Sequence, residues 1–183
     1  MIFVDIETEL ISRLKTEETK EQAFKELIAT YKERLYWHIR NIVKSHDDAD
    51  DVLQNTFIKI YKNIHGFKGE SKLFSWMYRI ATNEALTQIN HNAKRHHLTS
   101  EEFQQQAIDN LKADIYFEGE DIQLKLQKAI ATLPHKQQLV FNMKYFEDIK
   151  YSEMSEILET SEGALKASYH IAVKKIEEYL TND

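Results

Sequence analysis

The chain has no cysteine, one proline and four glycines among 183 residues. The first absence excludes disulfides, thiolate metal sites and a cysteine nucleophile, and it fits a reducing compartment. Few breakers and no Asn-Gly or Asp-Gly pair leave little material for β-hairpins. No run approaches the ~20 apolar residues that span a bilayer. The opening Met1-Ile-Phe-Val-Asp-Ile-Glu is acidic within five residues, unlike a signal peptide. A soluble cytoplasmic protein without direct membrane insertion is expected. An excess of positive charge is missing too, since the formal net charge is -6. Proteins that hold duplex DNA unaided are usually basic, because their affinity comes largely from neutralised phosphates. This chain therefore either avoids DNA or binds it with help.

What the chain has in abundance is helix-forming residues: Glu, Lys, Leu, Ile and Ala. The spacing predicts a first helix over 19–44, with Thr19 and Gln22 at capping-box distance. Phe24, Leu27, Ile28, Tyr31, Leu35, Ile39, Ile42 and Val43 recur there at steps of three and four. Asp47, Asp48, Asp50 and Asp51 open a second helix, where carboxylates suit the positive end of the macrodipole. After the loop Gly66-Phe-Lys-Gly-Glu-Ser71, a third helix runs from about Leu73 to His91.

From Leu98 to Asp121 the stretch carries seven acids against Lys112 alone. Its apolar content is too small for a core of its own, which marks a flexible acidic tether with at most transient helix. Beyond it, Leu124, Ala129, Ile130 and Leu133 share one helical face that stops at Pro134. A helix with Leu139, Val140 and Met143 follows, then two more over 152–158 and 162–180. The tight polar link Glu159-Thr-Ser161 between the last two outlines a helix-turn-helix. The expected fold is all-α: two small helical domains, 1–97 and 122–183, joined by the acidic linker 98–121.

In the last two helices, packing of Met154, Ile157 and Leu158 against Leu165, Tyr169 and Val173 leaves an outer face of Gly163, Ala164, Lys166, Ala167 and His170. Small residues at the start of a helix let its backbone approach a groove wall, and Lys166 can reach a phosphate or a base edge. Taken alone, the segment reads equally as a helical hairpin with a solvated face. Glu162 at the helix start would repel phosphate. Among the eight histidines, His96 and His97 are adjacent and point to different faces of any helix. No metal-ligand spacing, nucleophile elbow or phosphate loop appears, so no cofactor, metal, small-molecule substrate or enzyme activity is expected.

Three blocks carry a more specific signal. Asp48-Ala-Asp-Asp-Val-Leu-Gln-Asn-Thr-Phe-Ile-Lys-Ile-Tyr61 resembles region 2.2 of bacterial sigma factors. Phe67-Lys-Gly-Glu-Ser-Lys-Leu-Phe-Ser-Trp-Met-Tyr-Arg-Ile-Ala-Thr-Asn83 resembles regions 2.3 and 2.4 of the extracytoplasmic-function group, and Leu133 through Ile176 is similar to region 4. The resemblance implies a sigma factor of the sigma-70 family. Its partners would be core RNA polymerase, met at the clamp and flap, promoter DNA, and an anti-sigma factor.

The resemblance also implies roles. Asp50, Asp51, Gln54, Asn55 and Ile58 would meet the clamp, where an acidic and amide face complements a basic coiled coil. Asn55 stands where relatives commonly carry glutamate. Phe67, Lys68, Gly69, Ser71 and Lys72, with Ser75, Trp76, Arg79 and Asn83, would form the -10 surface that captures a base drawn from the stack. Trp76 and Tyr78 are also core candidates. Lys94 and Arg95 would touch phosphate, although the basic cluster at this helix end is thin. Gly163, Ala164, Lys166, Ala167, His170 and Lys174 would face the -35 element. A free-standing helix-turn-helix regulator, or a sigma-like adaptor that does not open DNA, stands as the alternative.

Overall fold

A 27-residue helix, α2 (Glu17–Val43), organises the N-terminal half. The computed structural model describes residues 6–97, 99–113 and 121–182. The helix begins at the Thr16 cap rather than at Thr19. The Thr19 hydroxyl instead donates back to the Arg13 carbonyl at 2.8 Å, so the expected Thr19–Gln22 capping box does not form. At the other end Lys44 turns left-handed, at φ 60°, and its N–H donates to the Arg40 carbonyl.

Two more long helices pack against this one. Ser45 caps α3 (His46–Asn63) by accepting from the Asp48 N–H, and Asp47 and Asp48 occupy the first turn. A single 3-10 turn over Ile64–Gly66 leads to the loop. There Gly69 sits at φ +75°, a conformation that residues with a Cβ rarely adopt. Then α4 (Leu73–His96) runs a full turn beyond its expected end.

A short helix not anticipated from the sequence, α1 (Ile6–Leu14), packs on α2 and buries Leu14. Its Glu7 carboxylate accepts the Leu73 N–H at 3.0 Å, which satisfies one of the free donors at the start of α4.

The C-terminal half is built from α6 (Asp121–Ala131), α7 (His135–Tyr145), α8 (Tyr151–Leu158) and α9 (Glu162–Thr181). Glu159, left-handed at φ 51°, ends α8, and Ser161 caps α9 by accepting from the Ala164 N–H. These two residues make the tight corner of the helix-turn-helix. Among the described residues there is no strand.

The linker differs from a plain tether. Residues 100–113 form α5 (Ser100–Ala113). Its start is a reciprocal cap: Glu102 accepts the Thr99 N–H at 2.7 Å, and the Thr99 hydroxyl accepts from the Glu102 N–H at 3.2 Å. Residues 114–120 of the expected tether lie outside the described residues.

The two halves share a core. Leu27, Leu35, Ile39, Ile60, Met77 and Tyr78 of the bundle belong to one apolar cluster with Met143, Met154, Ile157 and Leu165 of the C-terminal half. A smaller cluster, made by Ala129, Ile130, Leu133, Phe141, Ala172 and Ile176, holds α6, α7 and α9 together. The C-terminal half thus uses one apolar face for itself and lends another to the bundle. Met154 is fully buried in the shared cluster.

Candidate functional site

On α3 the period of 3.6 separates two faces. Val52, Leu53, Thr56, Phe57 and Ile60 are buried, while Asp50, Asp51, Gln54, Asn55 and Ile58 all face outward. Asp48, one turn earlier, is turned inward instead. It accepts from Gln88 Nε2 at 2.9 Å and from Asn92 Nδ2 at 3.1 Å, which fastens α3 to α4. The exposed strip borders a shallow groove of about 380 Å³ lined by Phe24, Ile28, Phe57, Ile58 and Tyr61. Phe24 meets the Tyr61 ring edge-on at 4.9 Å. Phe24, read from the sequence as part of an apolar stripe, and Tyr61 are only half-buried here, and no periodicity separates a half-covered aromatic from a buried one.

The second surface runs along α4 and the loop before it. Lys68, Gly69, Lys72 and Asn83 are exposed, and Ser71 and Arg79 are half-buried. Two expected members point inward: Phe67 and Ser75 are buried. The Phe67 ring lies 5.1 Å from the half-buried Trp76, and its carbonyl accepts from Lys15 Nζ at 2.5 Å. Tyr78 is core, where burial raises its hydroxyl well above the usual phenol range. Lys94 and Arg95 are exposed at the far end of the helix.

Two cations of this surface, Lys72 and Arg79, are engaged within the chain. Lys72 pairs with Glu153 at 2.9 Å, and Arg79 binds the end of α8. Desolvation pushes the Glu153 carboxyl up, but the hydrogen bond and charge of Lys72 outweigh it and hold the group below its ordinary value. The same bond holds the Lys72 ammonium above its own.

The third surface is the outer face of α9. Gly163, Ala164, Lys166, Ala167, His170 and Lys174 are all exposed. Lys166 is 3.5 Å from Glu162 and lies over the Tyr151 ring, and Lys174 is 4.0 Å from Glu178. Pairs of this kind on an exposed helix are weak and release a lysine at small cost.

The second and third surfaces, expected to act at separate DNA elements, meet at one seam. Asn83 and Leu86 of α4, Lys136 of α7, and Ala164 and Ser168 of α9 line a mostly apolar cleft of about 360 Å³. Among the described residues no three His, Asp or Glu side chains converge as a metal site requires. No described helix is long and apolar enough to cross a membrane.

Comparison with known proteins accounts for both halves. Residues 27–95 match the family described as Sigma-70 region 2, and residues 123–176 match Sigma-70, region 4. The chain is 27% identical to the ECF RNA polymerase sigma factor SigW of Bacillus subtilis, over 82% of this chain and 84% of SigW. It is 26% identical to the ECF RNA polymerase sigma-E factor of Haemophilus influenzae, over 92% of each. Two solved structures share its fold. CnrH, in complex with the cytosolic domain of CnrY, superposes with a TM-score of 0.71 at 17% identity, covering 98% of this chain and 99% of CnrH. The sigma factor RpoE of Bartonella quintana, in complex with the anti-sigma factor NepR, gives 0.65 at 19% identity, covering 87% and 98%.

Proposed function

The chain belongs to the extracytoplasmic-function group of the sigma-70 family, and from that premise we propose that it binds core RNA polymerase, directs it to promoters and opens the -10 element. The observation that carries the reading is the order of the two matched regions on one chain, with the outward strip of α3 in the first and the helix-turn-helix in the second. In this reading Asp50, Asp51, Gln54, Asn55 and Ile58 dock on the clamp. Lys68, Lys72, Arg79 and Asn83 attend the -10 strand, and α9 reads the -35 element. The chain acts by recognition, in the cytoplasm, and needs no catalysis of its own.

The net charge of -6 then has a physical use. The core supplies most of the phosphate neutralisation, so free protein has little purchase on DNA while holoenzyme has much. An anti-sigma factor, like the one in complex with RpoE of Bartonella quintana, is proposed as a third partner here.

Asn83→Ala tests the opening step. Asn83 is exposed and mid-helix, where Asn is a mediocre helix former and brings no packing. The variant should keep core binding in gel filtration while permanganate reactivity of -10 thymines falls at least tenfold. Unchanged reactivity would overturn the assignment of α4 to strand opening.

A further inference from the structure

Tyr151 opens α8, and its ring has two ammonium groups over it. Lys144 Nζ of α7 lies 5.6 Å from the ring centroid, and Lys166 Nζ of α9 lies 5.5 Å from it. Three helices thus meet at one aromatic side chain. The ring is half-buried and packs against the larger apolar cluster, which fixes it in place. Nothing in the local pattern singles Tyr151 out, because its partners come from the helices before and after its own.

The two lysines differ in what else holds them. Lys144 is bound by Asp148, 2.9 Å away, and that hydrogen bond raises its ammonium above the ordinary lysine value. Lys166 has Glu162, one turn earlier on α9, at 3.5 Å, with both side chains about half exposed. An exposed pair of residues four apart contributes little, and an approaching phosphate repels its carboxylate. The ring is a different kind of partner. It attracts the ammonium through its quadrupole and not through a lone pair, so a phosphate or a base edge finds the N–H donors free of a competing acceptor there. A neutral ring also brings no repulsion to phosphate.

We propose that Tyr151 is a positioning residue for the -35 element: its ring holds Lys166 on the outer face of α9, with donors free, before DNA arrives. The inference rests on the reading of α9 as the -35 surface. Lysine has much rotamer freedom to lose when a ligand fixes it. A ring that restricts the side chain beforehand leaves less to be lost on binding, which is how preorganisation gains affinity without a new contact. For a cation over a ring at an exposed site the effect is roughly threefold.

The test uses the holoenzyme, formed from core polymerase and the full chain. Its affinity is measured by fluorescence anisotropy for two duplexes, one carrying the -10 element alone and one extended through the -35 element of the same promoter. The ratio is the gain due to the -35 contact. Tyr151→Leu should lower that gain about threefold and leave affinity for the short duplex unchanged. Tyr151→Phe, which keeps the ring face, should keep the gain. Fluorinating the ring of the Tyr151→Phe chain draws charge from its face at nearly constant shape. The gain should then fall stepwise with each fluorine while the unfolding transition stays in place. In a Lys166→Ala background, Tyr151→Leu should lower the gain no further, because the two side chains act as one unit.

A Tyr151→Phe chain that loses as much of the gain as Tyr151→Leu would assign the effect to the hydroxyl and overturn the proposal. So would a gain insensitive to fluorination, or an equal loss from Tyr151→Leu with and without Lys166. If Lys166→Ala leaves the gain intact, α9 meets the -35 element without this lysine, and the inference falls while that surface stands. If extending the duplex brings no gain in wild type, the -35 assignment itself fails and takes the inference with it.

Discussion

Docking on the polymerase can be probed at Ile58, which is 45% exposed beside the aromatic groove on α3. Full burial of an isoleucine is worth about 1.5–3 kcal/mol, so covering the remaining half on docking is worth about 1 kcal/mol. Ile58→Ala should therefore weaken core binding roughly fivefold. Asp51, one turn before Asn55 on the same strip, is exposed. Asp51→Lys replaces an attraction to a basic coiled coil with a repulsion, which at a partly screened interface costs about 1–2 kcal/mol. Together the two changes should weaken binding by roughly 30- to 150-fold. Neither side chain belongs to the core, so the free protein should lose at most about 0.5 kcal/mol of stability from the charge change. Titrating labelled chain with core polymerase at fixed salt, read by fluorescence anisotropy, measures the effect. A double variant that binds within twofold of wild type would refute the assignment of this strip to the clamp.

Two further expectations concern the fold that presents these surfaces. Burial, with Arg40 nearby, lowers the Lys44 ammonium from 10.5 to about 8. Below that pH the residue is charged in both folded and unfolded chains, and folding bears the full desolvation cost. Between about 8 and 10.5 the unfolded chain holds a proton that the folded one lacks, so the contribution to stability rises with pH. Lys44→Met should then be about 1 kcal/mol more stable than wild type at pH 7 in urea unfolding, with the advantage shrinking towards pH 10.5; an advantage that stays constant with pH would exclude the mechanism. Met154→Ala removes a fully buried side chain from the shared cluster and should cost about 2–5 kcal/mol. Both tryptophans, Trp37 and Trp76, lie in the N-terminal half, so a shift in their unfolding transition would show that the halves fold as one unit, and an unmoved transition that they do not.

Much of this architecture is legible in the sequence, for identifiable reasons. The stripes on α2 and α3 are regular, and the polar link Glu159–Ser161 contains both the left-handed stop of α8 and the Ser161 cap of α9. The outward faces of α3 and α9 follow from the same periodicity. Three features were not legible, each because its cause lies far along the chain. The nine-residue α1 is too short to announce itself, and part of its role is to cap α4 through Glu7, 66 residues away from Leu73. The helix α5 hides in an acidic stretch whose composition suggests a tether, although Thr99 and Glu102 stand at capping-box spacing. The seam joins Arg79 to residues 77 and 80 positions away, and His38 to Glu147 across 109. Pairings at such separation leave no local trace, and a helical pattern that reads as a self-sufficient head does not reveal that one of its faces is shared.

The seam also changes the meaning of the acidic balance. Read from composition, the surplus of carboxylates weakens DNA binding as a diffuse field. In the folded chain some of those carboxylates have addresses: Glu153 and Glu159 pair with Lys72 and Arg79, two of the cations proposed here to meet the -10 strand.

The central claim, that this chain confers promoter-specific initiation on a polymerase that lacks it, is tested most directly by run-off transcription on a library of genomic promoter fragments, with core enzyme alone and with core plus the purified chain. Discrete transcripts from a small set of fragments, present only when both are supplied, are the predicted result. The same pattern of transcripts with and without the chain would contradict it.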